Sequence, residues 1–525
     1  MRTPPKPPIR TRAEHATTRT WAGLALLLVP ALLVSMDISV LFVAAPAIAE
    51  ALAPTATQWL WMMDAYGFVL AGLLVVMGGL GDRIGRRRLL LTGAVLFGAA
   101  SALLAMAPTA GLFIAGRALL GVAGATLAPS TLSLVRGMFA DPRQRGMAVG
   151  AWTVAFTGGA VAGPVLGGVL LEFFWWGSAF LVNLPFMVVL VIAAPLLVPE
   201  SRDPAAGGFD LPGAGLSLAA VLALVYAAKR VAEHGIGAWA AVALVSGAFL
   251  LVLFVVRQRR AAHPLVDVSL LTRPAFAAAV GGNTAVSFAA AGLGLLTFTF
   301  LQTVHGLSPL HAALWALPTF AGTALGAALA GPAAPRVRPG ALMAAGLVTG
   351  AAGLAVVGFV DTDTHLAVFV GGYTLLTFGI GIVATLANTL VLATAPPERA
   401  GAAAGISETS TEFGAALGIA VLGTTAATVY RAAMEHEADG AAAETVTGAL
   451  AAAPRAQDPA ALLDTAFTAY TAGVNAAALT GACLLAALAL LTAVALRGLP
   501  AGGGEPAPEA RRPGRGRPSP ADQPR

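Results

Sequence analysis

An all-α protein that crosses a membrane fourteen times is the fold class this sequence predicts, and three observations predict it. The 525 residues are 57% hydrophobic and only 11% charged, with a mean hydropathy of +0.80. A soluble domain carries about 25% charge, so lipid rather than water solvates most of this surface. The apolar residues gather into runs of about 20, the length that crosses about 30 Å of hydrocarbon at 1.5 Å per residue. The basic residues fall between those runs, mainly on one side.

Taken in order, the spans are expected at 22–45, 59–80, 88–107, 111–136, 147–170, 180–198, 212–229, 236–256, 275–302, 310–331, 341–360, 366–391, 403–430 and 473–497. Residues 1–21 are a polar, basic tail ahead of a run too long for a cleaved signal. Residues 22–198 read as a first bundle of six spans, 199–274 as two additional spans with a linker, and 275–498 as a second six-span bundle. That bundle is interrupted by a long, alanine-rich outer loop at 431–470 with room for a short helix, and 499–525, rich in Pro, Gly and Arg, reads as a disordered cytoplasmic tail. With the N-terminus inside, inner segments hold 26 of the 31 Lys and Arg, and the outer side holds only Lys229, Arg230, Arg431 and Arg455. This asymmetry places both termini in the cytoplasm, and the cytoplasmic membrane of a bacterial cell is the expected location.

Other classes are excluded on chemistry. The net charge of +5 is scattered in short arginine clusters without a basic face, so no nucleic-acid partner is expected. A single cysteine, Cys483, rules out an intrachain disulfide. The seven histidines have no zinc-ligand spacing, and no glycine-rich loop ends in Gly-Lys-Ser or Gly-Lys-Thr. The chain is expected to be no enzyme, to hold no metal or cofactor, and to draw energy from an ion gradient. Its expected partners are a small-molecule substrate, protons and membrane lipid, and it is expected to work as a monomer.

Ionisable groups inside a membrane are costly and mark function. In the first span Asp37 reads either as a lumen-facing acid for cations or protons, or as a hydrogen-bonded packing acid. In the second, Asp64 lies near interfacial Trp59 and Trp61 and beside Tyr66, whose ring face attracts cations; the alternative is an ordinary border residue. Between the second and third spans Gly78, Asp82, Arg83, Gly85, Arg86 and Arg87 form a tight, basic turn that fixes the membrane border. Arg117 is the one basic residue well inside a span, available to pair with an acid or to hold helices together. In the fifth span Gly150, Gly159, Gly163, Gly167 and Gly168 surround Pro164. Gly159, Gly163 and Gly167 make a smooth stripe for close packing or for a rocking interface. In the thirteenth, Glu408 and Glu412 share a face at i,i+4, an arrangement in which one carboxylate tends to hold a proton and which suits proton exchange or dication binding; the alternative, above all for Glu408, is a border position near the helix start.

The run Gly78-Gly79-Leu80-Gly81-Asp82-Arg83-Ile84-Gly85-Arg86-Arg87-Arg88 resembles the cytoplasmic loop signature of the major facilitator superfamily. The fifth-span pattern through Gly163 and Pro164 is similar to the antiporter signature of its drug exporters. Arg117, Gly121 and Gly124 resemble its fourth-span signature, with Leu120 standing where a glutamine is common. SMDISVLFVAAP, with Asp37, and WLWMMDAYG, with Asp64, resemble the fourteen-span drug:proton antiporter branch, of the multidrug and quaternary-ammonium type. This resemblance covers about 20–498. It implies a major facilitator fold of two six-helix bundles plus two extra helices, and proton-driven export of lipophilic, cationic drugs. Asp37, Asp64, Arg117, Glu408 and Glu412 would serve substrate or proton coupling, and the loop from Gly78 to Arg87 conformational gating. The second-half loop at 334–340 keeps Arg336 and Arg338 but has no aspartate. Alternatives are an exporter dedicated to one antibiotic or metabolite, and a non-transporting sensor or scaffold.

Overall fold

The computed structural model describes residues 16–202, 210–234, 237–261, 268–394 and 400–497, and every regular element among them is helical. The tail expected at 499–525, most of the N-terminal tail and parts of the linkers lie outside these residues. The helices are α1 (Thr18–Leu52), α2 (Ala56–Ile84), α3 (Arg86–Ala105), α4 (Ala110–Met138), α5 (Pro142–Phe173), α6 (Ser178–Leu181), α7 (Asn183–Leu197), α8 (Leu211–His234) and α9 (Ala238–Arg260). There follow α10 (Pro274–Thr299), α11 (Pro309–Ala333), α12 (Pro339–Val357), α13 (Leu366–Thr394), α14 (Ala400–Met434), α15 (Ala441–Glu444), α16 (Val446–Ala452) and α17 (Pro459–Ala495). Twelve described helices are long and apolar enough to cross a membrane. α2 and α8 stand where the second and seventh spans are expected and are not among those twelve; of α8, Leu211–Leu224 forms a shorter apolar helix.

Local chemistry sets the ends of these helices. Thr55 and Gln58 form a reciprocal capping box at the start of α2. Asp141 accepts from the amides of Arg143 and Gln144 at the start of α5, where Pro142 loses no hydrogen bond. The region expected as an outer loop at 431–470 is largely helical. α14 runs to Met434, α15 and α16 intervene, and α17 begins at Pro459, capped by Asp458 through the Ala461 amide at 3.1 Å. Its alanine-rich first turns favour helix without being apolar enough to count as a span, so hydropathy starts this helix too late.

Two hydrophobic cores define two bundles. Leu27, Phe97, Phe113, Leu120 and Phe180 belong to the first, Phe276, Leu347, Val383, Leu422 and Leu485 to the second. The pairing scheme repeats between them. α1 packs on α5, α2 on α4, and α3 on both α4 and α7; α10 packs on α14, α11 on α13, and α12 on both α13 and α17. Glycine makes the tightest of these crossings possible in both bundles. A β-carbon on Gly159 would strike the Leu32 carbonyl of α1, and one on Gly163 would come within 2.8 Å of the Met36 carbonyl. On α14, Gly414 and Gly418 meet the Thr284 and Phe288 carbonyls of α10 in the same way.

α8 and α9 form a hairpin set against the seam between bundles. Val221 and Leu222 pack with Trp61 and Phe68 of α2 and with Phe413 and Ala416 of α14. Asp210, buried just before α8, pins the base of the hairpin. It accepts from the Gly213 amide at 3.0 Å, Arg257 Nε at 2.6 Å and Gln258 Nε2 at 2.9 Å. Burial raises the pKa of this carboxyl, but the Gly213 amide, Arg257 and Gln258 more than reverse that and hold it below the usual carboxylate range. Elsewhere along the seam, contacts lie at mid-depth or toward the helix ends far from the termini. Gln302, in a π-helical turn ending α10, donates to the Val43 carbonyl at 3.0 Å. Gly168 of α5 meets Pro309 and Leu310 of α11, and Gly423 of α14 meets Leu60 of α2.

Candidate functional site

The acid in α1 and the base in α4 meet. Arg117 Nη1 donates to Asp37 Oδ2 at 2.6 Å, with the two side chains only 1% and 0% exposed. The remaining guanidinium donors are used as well, Nε to the Met62 carbonyl at 3.3 Å and Nη2 to the Met63 carbonyl at 3.4 Å. Arg117 Cζ lies 4.8 Å from the centroid of the Tyr66 ring, and the Tyr66 hydroxyl donates to the Val34 carbonyl. One arginine therefore joins α1, α2 and α4. Asp37 Oδ1 has no hydrogen-bond partner among the described residues, which leaves an acceptor position beside the ion pair.

Small residues let the helices approach closely enough for this. A β-carbon on Gly121 would come within 2.6 Å of the Tyr66 carbonyl, and one on Gly124 within 2.9 Å of the Tyr66 hydroxyl oxygen. Leu120, just before Gly121, is fully buried. Asp64 is buried immediately after the two carbonyls that Arg117 grips. Tyr66, two residues on and so on another side of α2, stacks under Arg117 and does not present that ring face to a cargo cation.

Glu412 comes from the other bundle. It is buried, and its Oε2 lies 3.9 Å from the position a β-carbon would take on Gly67 of α2. The seam thus brings an acid of α14 against the residue that follows Tyr66. The side chains of Glu408 and Asp82 lie outside the described residues. Chemically, the arrangement is an ion-paired carboxylate on α1, Asp37, with buried acids also on α2, Asp64, and on α14, Glu412, in a low-dielectric interior. Such groups hold protons or cations and provide no covalent chemistry.

The loop between α2 and α3 is held by the end of α7. Gly85 has φ +108°, a conformation that L side chains rarely adopt, and a β-carbon there would strike the Glu200 carboxylate. A glycine N-cap offers no side-chain acceptor to α3, so its first amides find partners elsewhere: Arg86 N–H donates to the Ser201 carbonyl at 2.8 Å and Arg87 N–H to Glu200 Oε1 at 2.9 Å. In return Arg87 Nη1 donates to the Val198 carbonyl at 2.9 Å, and Arg19 donates to Leu196, capping the end of α7. Arg86 is buried beside Gly81, Arg83 is half-buried, and a β-carbon on Gly78 would meet nothing within 4 Å among the described residues. Of the fifth-span glycines, Gly159, Gly163 and Gly167 face α1, Gly168 faces α11, and Gly150 meets no other element among the described residues. Pro164 sits within the continuous helix α5.

Sequence reasoning missed Glu200, Asp210 and the second glycine crossing at Gly414 and Gly418. A signal for the first was available: an acid directly after the sixth apolar run, on the same side as the arginine-rich turn. Among the described residues no group of three or more His, Cys, Asp or Glu could hold a metal ion.

Comparison with known proteins bears on this arrangement. A family model described as Major Facilitator Superfamily matches residues 27–419. The multidrug efflux pump LfrA of Mycolicibacterium smegmatis is 42% identical over 490 residues, covering 91% of this chain and 97% of that protein. The methyl viologen resistance protein SmvA of Salmonella typhimurium is 34% identical over 406 residues, covering 77% and 82%. In fold, the chain is similar to the crystal structure of a bacterial homologue of the human lysosomal transporter Spinster, with a TM-score of 0.65 at 16% identity over 92% of this chain and 98% of that one.

Proposed function

We propose that this chain, which belongs to the major facilitator superfamily and is a bacterial multi-pass membrane transporter rather than an enzyme, exports lipophilic cations in exchange for protons. The observation that carries this reading is the buried Asp37–Arg117 pair together with Glu412, set across the seam against α2. Two relatives, a multidrug efflux pump and a methyl viologen resistance protein, support the cargo class.

In this reading the fold is the fourteen-span form, with α2 and α8 as membrane spans, two six-helix bundles and the α8–α9 pair beside them. Both termini are cytoplasmic and the protein works as a monomer. Arg117 compensates Asp37, so the resting pair carries no net charge; a proton arriving at Asp37 Oδ1 weakens the pair and frees α4 from α1. Asp64 of α2 and Glu412 of α14, both buried, bind the cation. Cargo and proton then compete for the same acids while the bundles expose them to alternate sides. A membrane potential of 100 mV contributes about 2.3 kcal/mol per charge moved, a driving term of useful size for exchange.

The test is export of tetraphenylphosphonium and methyl viologen from an exporter-deficient bacterium. Uphill export is expected to stop when an uncoupler collapses the proton gradient, and to fall at least tenfold in Asp64→Asn and Glu412→Gln. Export that continues without the gradient would refute the exchange.

A further inference from the structure

We propose that the face opposite the termini carries a second binding site, for a small amphipathic monocation, walled by both bundles and roofed by the segment between α14 and α17. A cavity of about 220 Å³ lies there. Its walls include Pro46 of α1, Trp59 of α2, Leu296 of α10 and Tyr430 of α14, and its roof Thr447 of α16. It is separate from Asp37, Asp64 and Glu412, none of which lines it.

The roof is fixed in place. Tyr430, Met434, Ala442, Val446, Ala449 and Ala466 form a small core of their own under it, and the Tyr430 hydroxyl donates to the Ala442 carbonyl at 2.9 Å. The Tyr470 hydroxyl donates to the Leu296 carbonyl at 3.3 Å. With these hydroxyls already engaged, the tyrosines give the cavity apolar walls. The ionisable groups are at the rim: Glu50 and Glu444, both exposed, against a half-buried Arg431. Two carboxylates against one guanidinium leave an excess of one negative charge beside aromatic walls, which selects a cation with an apolar body. The volume limits it to a small molecule.

The walls come from α1 and α2 on one side and from α10, α14 and α17 on the other, so the cavity exists only while the bundles meet at this end. A ligand in it favours that arrangement by its whole binding free energy, and thereby opposes opening on this face. The inference does not rest on proton coupling or on the identity of the exported compound.

The probe is benzyltrimethylammonium, titrated against the purified full chain in detergent with the melting temperature as readout. A saturable rise is expected in the unaltered protein and in Asp64→Asn. The rise that persists in Asp64→Asn is expected to vanish once Thr447→Trp, which fills the cavity from its roof, is added to it, and that variant's own melting transition reports that it folds. The exposed pair Glu50→Gln with Glu444→Gln is expected to weaken the apparent affinity about tenfold. No rise in the unaltered protein would overturn the proposal. So would a rise lost in Asp64→Asn and kept in Thr447→Trp, since the probe would then occupy the membrane acids. Failure of export with this binding intact would count against the exporter reading alone.

Discussion

Asp37 and Arg117 are 80 residues apart in sequence and meet at 2.6 Å, and this contact is where the residue scale decides most. Breaking one member of a buried pair leaves an uncompensated charge, at a cost of about 3–5 kcal/mol. Arg117→Gln alone is therefore expected to lower the melting temperature more than the double replacement Asp37→Asn with Arg117→Gln, and both to abolish coupled export. A double-mutant cycle on thermal stability measures the difference. The sequence marked both residues as costly in lipid, because any ionisable group in an apolar run stands out. It did not say that they pair with each other, since Asp64, Glu408 and Glu412 were equally available partners. Nor did it show that Tyr66 is committed to Arg117. That depends on which face of α2 meets α4, and Gly121 and Gly124 settle the matter through a close approach visible only in three dimensions.

At the scale of elements, the glycine stripe of α5 was legible as a packing surface but not as one of two. Gly414 and Gly418 repeat the crossing in the second bundle, in a stretch where the flanking acids drew attention instead. Close packing within each bundle therefore accounts for both sets, while Gly168 alone of the fifth-span group touches the opposite bundle. Gly163→Ala and Gly418→Ala are each expected to cost about 1–3 kcal/mol through overpacking, whereas Gly150→Ala, facing open space, should change stability by less than about 0.5 kcal/mol. Melting temperatures of the three variants in one detergent test this directly. The α8–α9 hairpin supplies a pH prediction. Asp210 titrates below its unfolded value, so its contribution is fully present above about pH 4 and is lost as the pH falls through the folded value. The stability gap between the unaltered protein and Asp210→Asn should accordingly be constant at neutral pH and narrow below about pH 4. A melting series against pH checks the sign.

For the whole molecule, the repeated pairing of helices in two bundles leaves a seam whose described contacts cluster away from the termini. α5 meets α11 at Gly168 and Leu310, α1 meets the end of α10 at Val43 and Gln302, and α2 meets α14 at Leu60 and Gly423. If the bundles rock about the buried acids, these contacts must part for the far face to open. A β-carbon on Gly168 would lie 2.9 Å from Leu310 Cα, closer than packed atoms stand, so α5 and α11 must shift apart by a few tenths of an ångström before cysteines at these adjacent positions can join. In a Cys483→Ser background, which removes the exposed native thiol, Gly168→Cys with Leu310→Cys is expected to cross-link under mild oxidation. Export should stop while the bond is intact and return on reduction, and each single cysteine variant should be indifferent to oxidant. Full export by the oxidised pair would mean that this end of the seam never opens, and that cargo leaves by a route other than separation of the bundles.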